Sequence, residues 1–452
     1  MENNIIFTPF TIKNVTFKNR ILRSSIGGRT AYYNGTINAA WKHFEKRFAE
    51  NEVAGIISAT LTVDGNRWSP LEYPQISKDD FIGPLQEGIQ EVQKLGCKYI
   101  IQIGDPGCHT QTSLFRQRAD AMSASRGFDF LYGYRNTNVE MSVGDIKRTI
   151  DNFAKAARRA QKTGCDGLEI TASKGYLIHQ FLNPAINRRT DEYGGSEDGR
   201  FLFLRRIVEA VNEKIDINKN FLFGIRLSAV DYNYLPLLNI RWPVWPLVRP
   251  FRHYFIGNGL KETLGYAQKL KELGIDYLHI TSGYGFINPQ ENPGRFPTDE
   301  IRMFFNSVRH LSAKAKARAM LLNILPNFII NLLMGITWKV KEGINADFAA
   351  KFKDVVQIPI VANGGFQTQS LIKHVLDTKK CDMVSMARPL LANPDLLKIF
   401  KEGEDKPKKP CSFCNKCAAR TTLFPLGCYE RSRFHSQEEM EKEIIRWSGT
   451  PG

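Results

Sequence analysis

A (β/α)8 barrel is predicted by two features of the chain. Eight short apolar runs alternate with stretches whose apolar residues recur three and four apart, the spacing of one helix face. In addition, a long stretch with the character of a specialised loop, TASKGYLIHQFLNPAINRRTDEYGGSEDGR (171–200), directly follows one of those runs. It therefore sits at the C-terminal end of a strand, where parallel α/β folds place ligands and chemistry.

The candidate strands are Arg20 to Ile26, Ala54 to Val63, Tyr99 to Ile103, Gly167 to Thr171, Phe221 to Leu227, Tyr277 to Thr281, Ile358 to Asn363 and Met383 to Met386. Helical spacing is clearest in Ile150 to Lys162, Phe201 to Val211 and Leu260 to Leu273. A hairpin-like segment, TPFTIKNVTFKNRI, precedes the first strand and is expected to cap the barrel. A doubly wound open sheet is the alternative, weakened because no strand is followed by a dinucleotide-type glycine fingerprint. Residues 1–400 are assigned to the barrel, with insertions at about 235–256 and 309–341, and residues 401–452 to a four-cysteine extension.

Composition narrows the class. A hydrophobic fraction of 42% over 452 residues is enough for one large core. Met1 to Asn4 is polar and the segment after it alternates, so no leader is visible and a cytoplasmic protein is expected. The net charge of +16 is uneven: residues 232–261 hold four Lys/Arg and 301–341 hold seven, with no Asp or Glu in either. Charge confined to two segments argues against a nucleic-acid binder and for local roles.

The phrases GYLIHQFLNP and NRRTDEYGG resemble the flavin-dependent ene-reductases of the Old Yellow Enzyme (NADH:flavin oxidoreductase) family. The resemblance extends over most of residues 5 to 230 and 260 to 435. It implies an FMN-binding barrel that takes hydride from NAD(P)H and passes it to an activated alkene, with Tyr176 as proton donor. It further implies that Gln102 pairs with the flavin pyrimidine and that Arg226 lies beside its N1 and O2, where positive charge favours the reduced anionic ring. An interior arginine paired with a barrel carboxylate is the other reading of Arg226. Ser24, Ser25 and Gly27 would lie against the ring. Asn363, Gly364 and Gly365 after the seventh strand, with Ala387 and Arg388 after the eighth, occupy the loops that hold phosphate in such barrels. Where typical members polarise the substrate carbonyl with His and Asn or a second His, this chain has Thr171 and Lys174. A lysine brings a full positive charge suited to an enolate, carboxylate or thioester oxygen. His179 and His279 read more readily as packed histidines than as catalysts.

Four cysteines gather in CSFCNKCAARTTLFPLGC: Cys411, Cys414, Cys417 and Cys428. Their position after ARPLLANPDLL resembles the iron-sulfur branch of the family, which includes 2,4-dienoyl-CoA reductase and the bile-acid and enoate reductases, and implies a [4Fe-4S] cluster. The gaps after the second and third cysteines are shorter than is usual there. Zinc, or a set that has lost its cluster, are the alternatives. With a cluster, an external electron-donor protein is expected.

The segments 235–255 and 309–341 are apolar or aromatic and flanked by Lys/Arg. They suit peripheral contact with the inner face of an anionic membrane, or a lid or oligomer contact around an apolar substrate. Asn323, Pro326, Asn327 and Asn331 make the second a poor spanning helix. The expected activity is reduction of an activated C=C bond in an apolar enone or enoyl substrate. A membrane-docked flavin and iron-sulfur electron carrier, or an amine dehydrogenase or demethylase, are the competing readings.

Overall fold

The computed structural model describes residues 4–68, 72–111, 120–127, 135, 137–216, 220–233, 257–285 and 288–448. The first expected insertion, 235–256, lies outside them.

Eight parallel strands close into a barrel. In chain order the strands of the molecule are β1 (Phe10–Ile12), β2 (Val15–Phe17), β3 (Ile21–Arg23), β4 (Gly55–Thr62), β5 (Lys98–Gly104), β6 (Met122–Ser123), β7 (Val139–Glu140), β8 (Gly167–Ala172), β9 (Leu222–Ser228), β10 (Tyr277–Thr281), β11 (Ile360–Ala362) and β12 (Met383–Met386). The barrel runs β3-β4-β5-β8-β9-β10-β11-β12, and closure falls between β12 and β3, where Ser385 pairs with Leu22. All eight predicted strands are therefore present, with ends shifted by a few residues. Near-continuous burial along β4, β5, β8 and β9 explains their legibility, because a strand covered on both faces reads as an unbroken apolar run.

The expected hairpin is β1-β2, antiparallel with Phe10 opposite Phe17. It plugs the N-terminal end of the barrel. Ile12, Val15 and Phe17 form one apolar cluster with Leu22, Ala54, Ile100, Leu222, Tyr277, Val361 and Met383, which lie at or near the starts of barrel strands. That end is sealed, so the opposite end is left for a site.

The surrounding helices are α1 (Ala39–Glu50), α2 (Ile82–Gln93), α3 (Val143–Lys162), α4 (Leu177–Leu182), α5 (Glu197–Lys214), α6 (Leu260–Glu272), α7 (Thr298–Val308), α8 (Ala313–Ile324), α9 (Asn327–Gly335), α10 (Ala346–Val356), α11 (Gln369–Asp377), α12 (Arg388–Ala392), α13 (Leu396–Lys401), α14 (Lys416–Arg420) and α15 (Gln437–Ser448). Helix α3 starts at Val143 rather than at Ile150, because Ser142 and Asp145 form a reciprocal capping box that satisfies the first turn. The stretch 171–200 is not all loop. Helix α4 lies inside it, every residue buried, and Ser196 caps α5 at its end.

The stretch 309–341 is mainly the bent pair α8 and α9, whose axes meet at 105°. Among the described residues no single helix is long and apolar enough to cross a membrane, although this pair passes such a test of length and composition together. The cysteine extension packs back on the barrel: Glu443 of α15 pairs with Arg47 of α1, and Leu426 meets Gly28.

Candidate active site

A cavity of about 910 Å³, including its open mouth, lies over the C-terminal end of the barrel. Ser24, Ser25, Gly27, Lys174, Arg226, Asn363, Gly364, Gly365, Ala387 and Arg388 all line it. Five different strand ends thus bring these predicted residues to one place.

Arg226, on β9, is buried. Its Nη1 donates to Ser24 Oγ at 3.3 Å and its Nη2 to Glu291 Oε1 at 3.4 Å. Its Nε has no hydrogen-bond partner among the described residues. A buried guanidinium N–H without a partner is costly unless a ligand supplies the acceptor.

Lys174 reaches the cavity from the turn after β8, where it has φ +61 and is followed by Gly175 at φ +75. That turn is pinned from α4: Gly175 N–H donates to His179 Nδ1 at 3.0 Å, and Gln180 Nε2 donates to Gly175 O at 2.7 Å. His179 Nε2 in turn meets Asp231 Oδ1 at 2.7 Å. His179 is therefore a support for the turn.

The residue that sequence reasoning missed is Glu291. It lies in the segment after β10, is buried, and pairs with both Lys174 and Arg226 while accepting from Thr281 Oγ1 at 2.6 Å. Burial alone would raise its carboxyl pKa, but Lys174, Arg226 and the Thr281 hydroxyl hold it below the usual value. Burial pushes the Lys174 ammonium down to about 8, with Glu291 opposing that shift. The barrel-carboxylate partner considered for Arg226 is thus present, and it sits in the cavity wall. Only its place after a barrel strand could have marked Glu291, since FINPQENPGR carries no periodic pattern.

Three predicted residues do not line the cavity. Thr171 is buried on β8 level with Arg226, its Oγ1 3.4 Å from Ser173 Oγ. Tyr176 is 5% exposed at the start of α4; burial raises its phenol pKa, with Arg226 partly opposing. Gln102 is buried inside the barrel, where its amide donates to Glu169 Oε1 at 2.6 Å and its carbonyl accepts from Thr60. Glu169 also accepts from Tyr277 at 3.1 Å and lies 3.0 Å from His279 Nδ1, whose other nitrogen meets Ser385 Oγ at 2.8 Å. His279 is thereby part of a satisfied interior network.

At the far rim, Gly364 and Gly365 have φ +121 and +77. A Cβ on Gly364 would lie 2.7 Å from Ile344 Cγ2 and 2.9 Å from Asn345 Nδ2. We expect Gly364→Val to distort this rim, at a cost of about 1–3 kcal/mol from backbone strain alone. It should lower the flavin-to-protein ratio measured by absorbance, and an unchanged ratio would separate this loop from cofactor binding.

Arg388 links two cavities. It lines the larger one and also a pocket of about 300 Å³ that all four cysteines of the extension line, as does Arg433. Arg388 Nη1 donates to Pro293 O at 2.8 Å and to the Asn415 side chain, and its guanidinium lies 5.1 Å from the Phe413 ring centroid. Phe413 and Asn415 both have positive φ, +52 and +61, which folds the CSFCNKC loop tightly. Asn415 Nδ2 donates to Asn292 O at 3.1 Å and Arg295 O at 3.0 Å, tying the cysteine loop to the segment that carries Glu291. Cys417, Ala418, Thr421 and Leu426 line the larger cavity, so the extension is part of its wall. Burial raises the Cys411 thiol to about 11 and raises the other three as well. Among the described residues, no three Cys, His, Asp or Glu side chains are grouped as around a single metal ion.

Eight parallel strands closed beneath a cationic, glycine-edged cavity define the class: a (β/α)8 barrel with its cavity at the C-terminal ends of the strands. A family model described as NADH:flavin oxidoreductase / NADH oxidase matches residues 5–235, half of the chain, and the chain belongs to that family of oxidoreductases. A second model, dihydrouridine synthase, matches residues 339–427. A metal reductase of Desulforamulus reducens is 28% identical over 97% of this chain, which spans 55% of that protein's length. An NADPH dehydrogenase of Bacillus velezensis is 28% identical over 86% of this chain and 92% of its own. A solved 2-naphthoyl-CoA reductase, in complex with 2-naphthoyl-CoA, shares the fold with a TM-score of 0.71 at 17% identity, over 99% of this chain and 58% of that one.

Proposed function

We propose that the protein reduces an activated carbon–carbon double bond in an apolar enone or enoyl substrate, using FMN in the larger cavity and NAD(P)H or a donor protein as the electron source. The observation that carries this reading is the meeting of Lys174, Arg226 and Glu291 in a cavity edged by Gly364, Gly365 and Arg388. FMN fits these residues: the unpartnered Arg226 Nε needs an acceptor, and the rim supplies a cation and glycine-permitted backbone approach. Bound there, FMN would supply hydride to the β carbon of the alkene.

The chain's own residues would do the remainder. Asn363 to Gly365, Ala387 and Arg388 hold the phosphate, while Ser24, Ser25 and Gly27 shape the face under the ring. Arg226 keeps positive charge beside the pyrimidine edge. Lys174 binds the substrate oxygen on which negative charge develops, and Tyr176, beside the cavity at the start of α4, gives the α carbon its proton. The raised phenol pKa keeps that proton in place at neutral pH.

The four thiols are read as the holders of a [4Fe-4S] cluster. All four line one small pocket, and their close spacing in a short segment is the pattern of cluster-ligating thiolates; a four-thiolate zinc site is the competing reading. When bound, a cluster would relay single electrons next to the flavin cavity, whose wall Cys417 shares.

The test is an anaerobic absorbance spectrum with iron and acid-labile sulfide assayed on the same sample, followed by mixing of the reduced protein with an enone. Flavin bands, about four iron and four sulfide per chain, and rapid reoxidation by the enone are expected. Cys417→Ser should lower the iron content while flavin is retained. Flavin without iron removes the cluster from this reading, and a reduced protein that no alkene reoxidises favours an electron carrier.

A further inference from the structure

Among the described residues, large apolar side chains are exposed in few places, and one place dominates. Met320, Ile324, Phe328, Leu332, Ile336 and Val340 are 55%, 75%, 70%, 73%, 67% and 53% exposed. They recur at steps of four: Met320 and Ile324 share one side of α8, Phe328 and Leu332 share one side of α9, Ile336 and Val340 follow in the segment after it, and all six face solvent as an apolar ridge on the bent pair. Several large apolar side chains exposed on one bent helix pair mark an interaction site.

The ridge is held firmly. Its underside buries Ala315, Ala319, Ile330, Met334 and Trp338 against Phe296 and the α7 residues Ile301, Phe304 and Phe305. Arg302 donates to Leu322 O at 3.0 Å and Leu325 O at 2.9 Å, satisfying carbonyls at the end of α8 just before Pro326 turns the chain. Thr298 Oγ1 donates to Asn331 Oδ1 at 2.5 Å, and Asn327 Nδ2 donates to Asp299 Oδ1 at 2.7 Å.

Charge identifies the occupant. Residues 301–341 contain seven Lys/Arg and no acid, and Arg309, Lys316, Lys339 and Lys341 are exposed around the ridge. Of the acids nearby, Asp299 is engaged by Asn327 and lies 3.9 Å from Arg302, Glu342 accepts from Thr368, and Asp347 pairs with Lys380 and also feels Lys341. A two-fold contact between copies would set the same basic rim against itself. A surface of anionic lipid complements it. Helix α8 has 12 residues, about 18 Å of rise against a hydrocarbon core of about 30 Å, so the pair suits the plane of the interface.

We propose that the ridge Met320–Val340 docks the protein on an anionic bilayer surface, with the apolar side chains in the interfacial region and the surrounding lysines facing lipid phosphates. The underside of the same pair packs on Ala419 and Leu423 of the cysteine segment, so docking would hold the cysteine segment and the neighbouring cavity close to the lipid. The inference goes beyond the proposed reaction and does not depend on it.

The test is flotation of the purified full chain with phosphatidylcholine vesicles, with and without phosphatidylglycerol. Binding to the phosphatidylglycerol vesicles is expected, weakened about tenfold or more without the anionic lipid or in ~0.5 M salt. The double variant Phe328→Ser/Leu332→Ser changes only exposed positions and should lose more than about tenfold in binding at unchanged circular dichroism and melting temperature. Lys339→Gln/Lys341→Gln should lose the preference for anionic lipid. No vesicle binding by the natural chain, or equal binding by the serine variant, overturns the proposal. So does sedimentation showing that the natural chain self-associates, that the serine variant does not, and that neither floats.

Discussion

Replacing Tyr176 with phenylalanine is expected to slow reoxidation of the reduced protein by an enone about 10²–10⁴-fold, the usual loss when a positioned general acid is removed. Reduction by the electron donor should be unchanged. The variant keeps the ring that fills the space at the start of α4 and removes only the hydroxyl, so the effect isolates the proton. Burial raises the phenol pKa, with Arg226 only partly opposing, so the hydroxyl stays protonated throughout an ordinary pH profile. Stopped-flow measurement of the two half-reactions is the check. An equal slowing of both would make Tyr176 a packing residue, and no change in either would move the donor elsewhere.

The second large effect is expected at Glu291. Its carboxylate is shared by Lys174 and Arg226, and the three side chains are 2%, 13% and 1% exposed. Glu291→Gln leaves two buried cations without their counter-charge, and removal of one partner from such a group costs about 3–5 kcal/mol. Denaturant unfolding should show that loss, and Lys174→Met in the same chain should recover part of it, because one stranded charge is removed. A loss within experimental error would mean that water or cofactor already screens the cluster.

The same pair makes a pH prediction. Lys174 is charged below about 8 and neutral above it. If its charge binds the substrate oxygen, kcat/KM is level at lower pH and falls as pH rises through about 8. Because Glu291 is what raises the Lys174 pKa against burial, Glu291→Gln should move that descending limb to lower pH. Lys174→Arg, which stays charged, should remove it from the accessible range. A limb that stays in place in both variants belongs to another group.

Legibility in the sequence followed the physics of each signal. The barrel strands were readable because their residues are covered on both faces, and α3 and α6 because one face of each is apolar. The helix inside 171–200 was hidden, since the residues of α4 are buried on every side and present no polar face to set a period. Much of the NRRTDEYGG phrase proves to be scaffold: Asn187 Nδ2 donates to Phe181 O at 2.8 Å and Tyr193 O at 2.7 Å, and Arg189 Nη1 donates to Met141 O at 2.7 Å. A motif specific enough to mark a family thus marks the loop that positions Lys174 and Tyr176 more than the groups that touch a ligand. The apolar stretch near 320–340 was visible as composition, but which side faces out was not, because that depends on how α7 packs beneath it.

The sequence by itself determined the eight-strand alternation, the strand ends at which Arg226, Asn363 and Arg388 stand, and the gathering of four thiols in one short segment. These are local properties, carried by spacing along the chain. The tertiary structure decided that Glu291 binds Lys174 to Arg226, that Gln102 faces Glu169, that Arg388 and Cys417 join the two cavities, and that a basic-edged apolar ridge faces solvent. Each of these pairs residues far apart in the chain, and a buried charge or an exposed apolar face acquires its meaning only from what closure of the barrel places beside it.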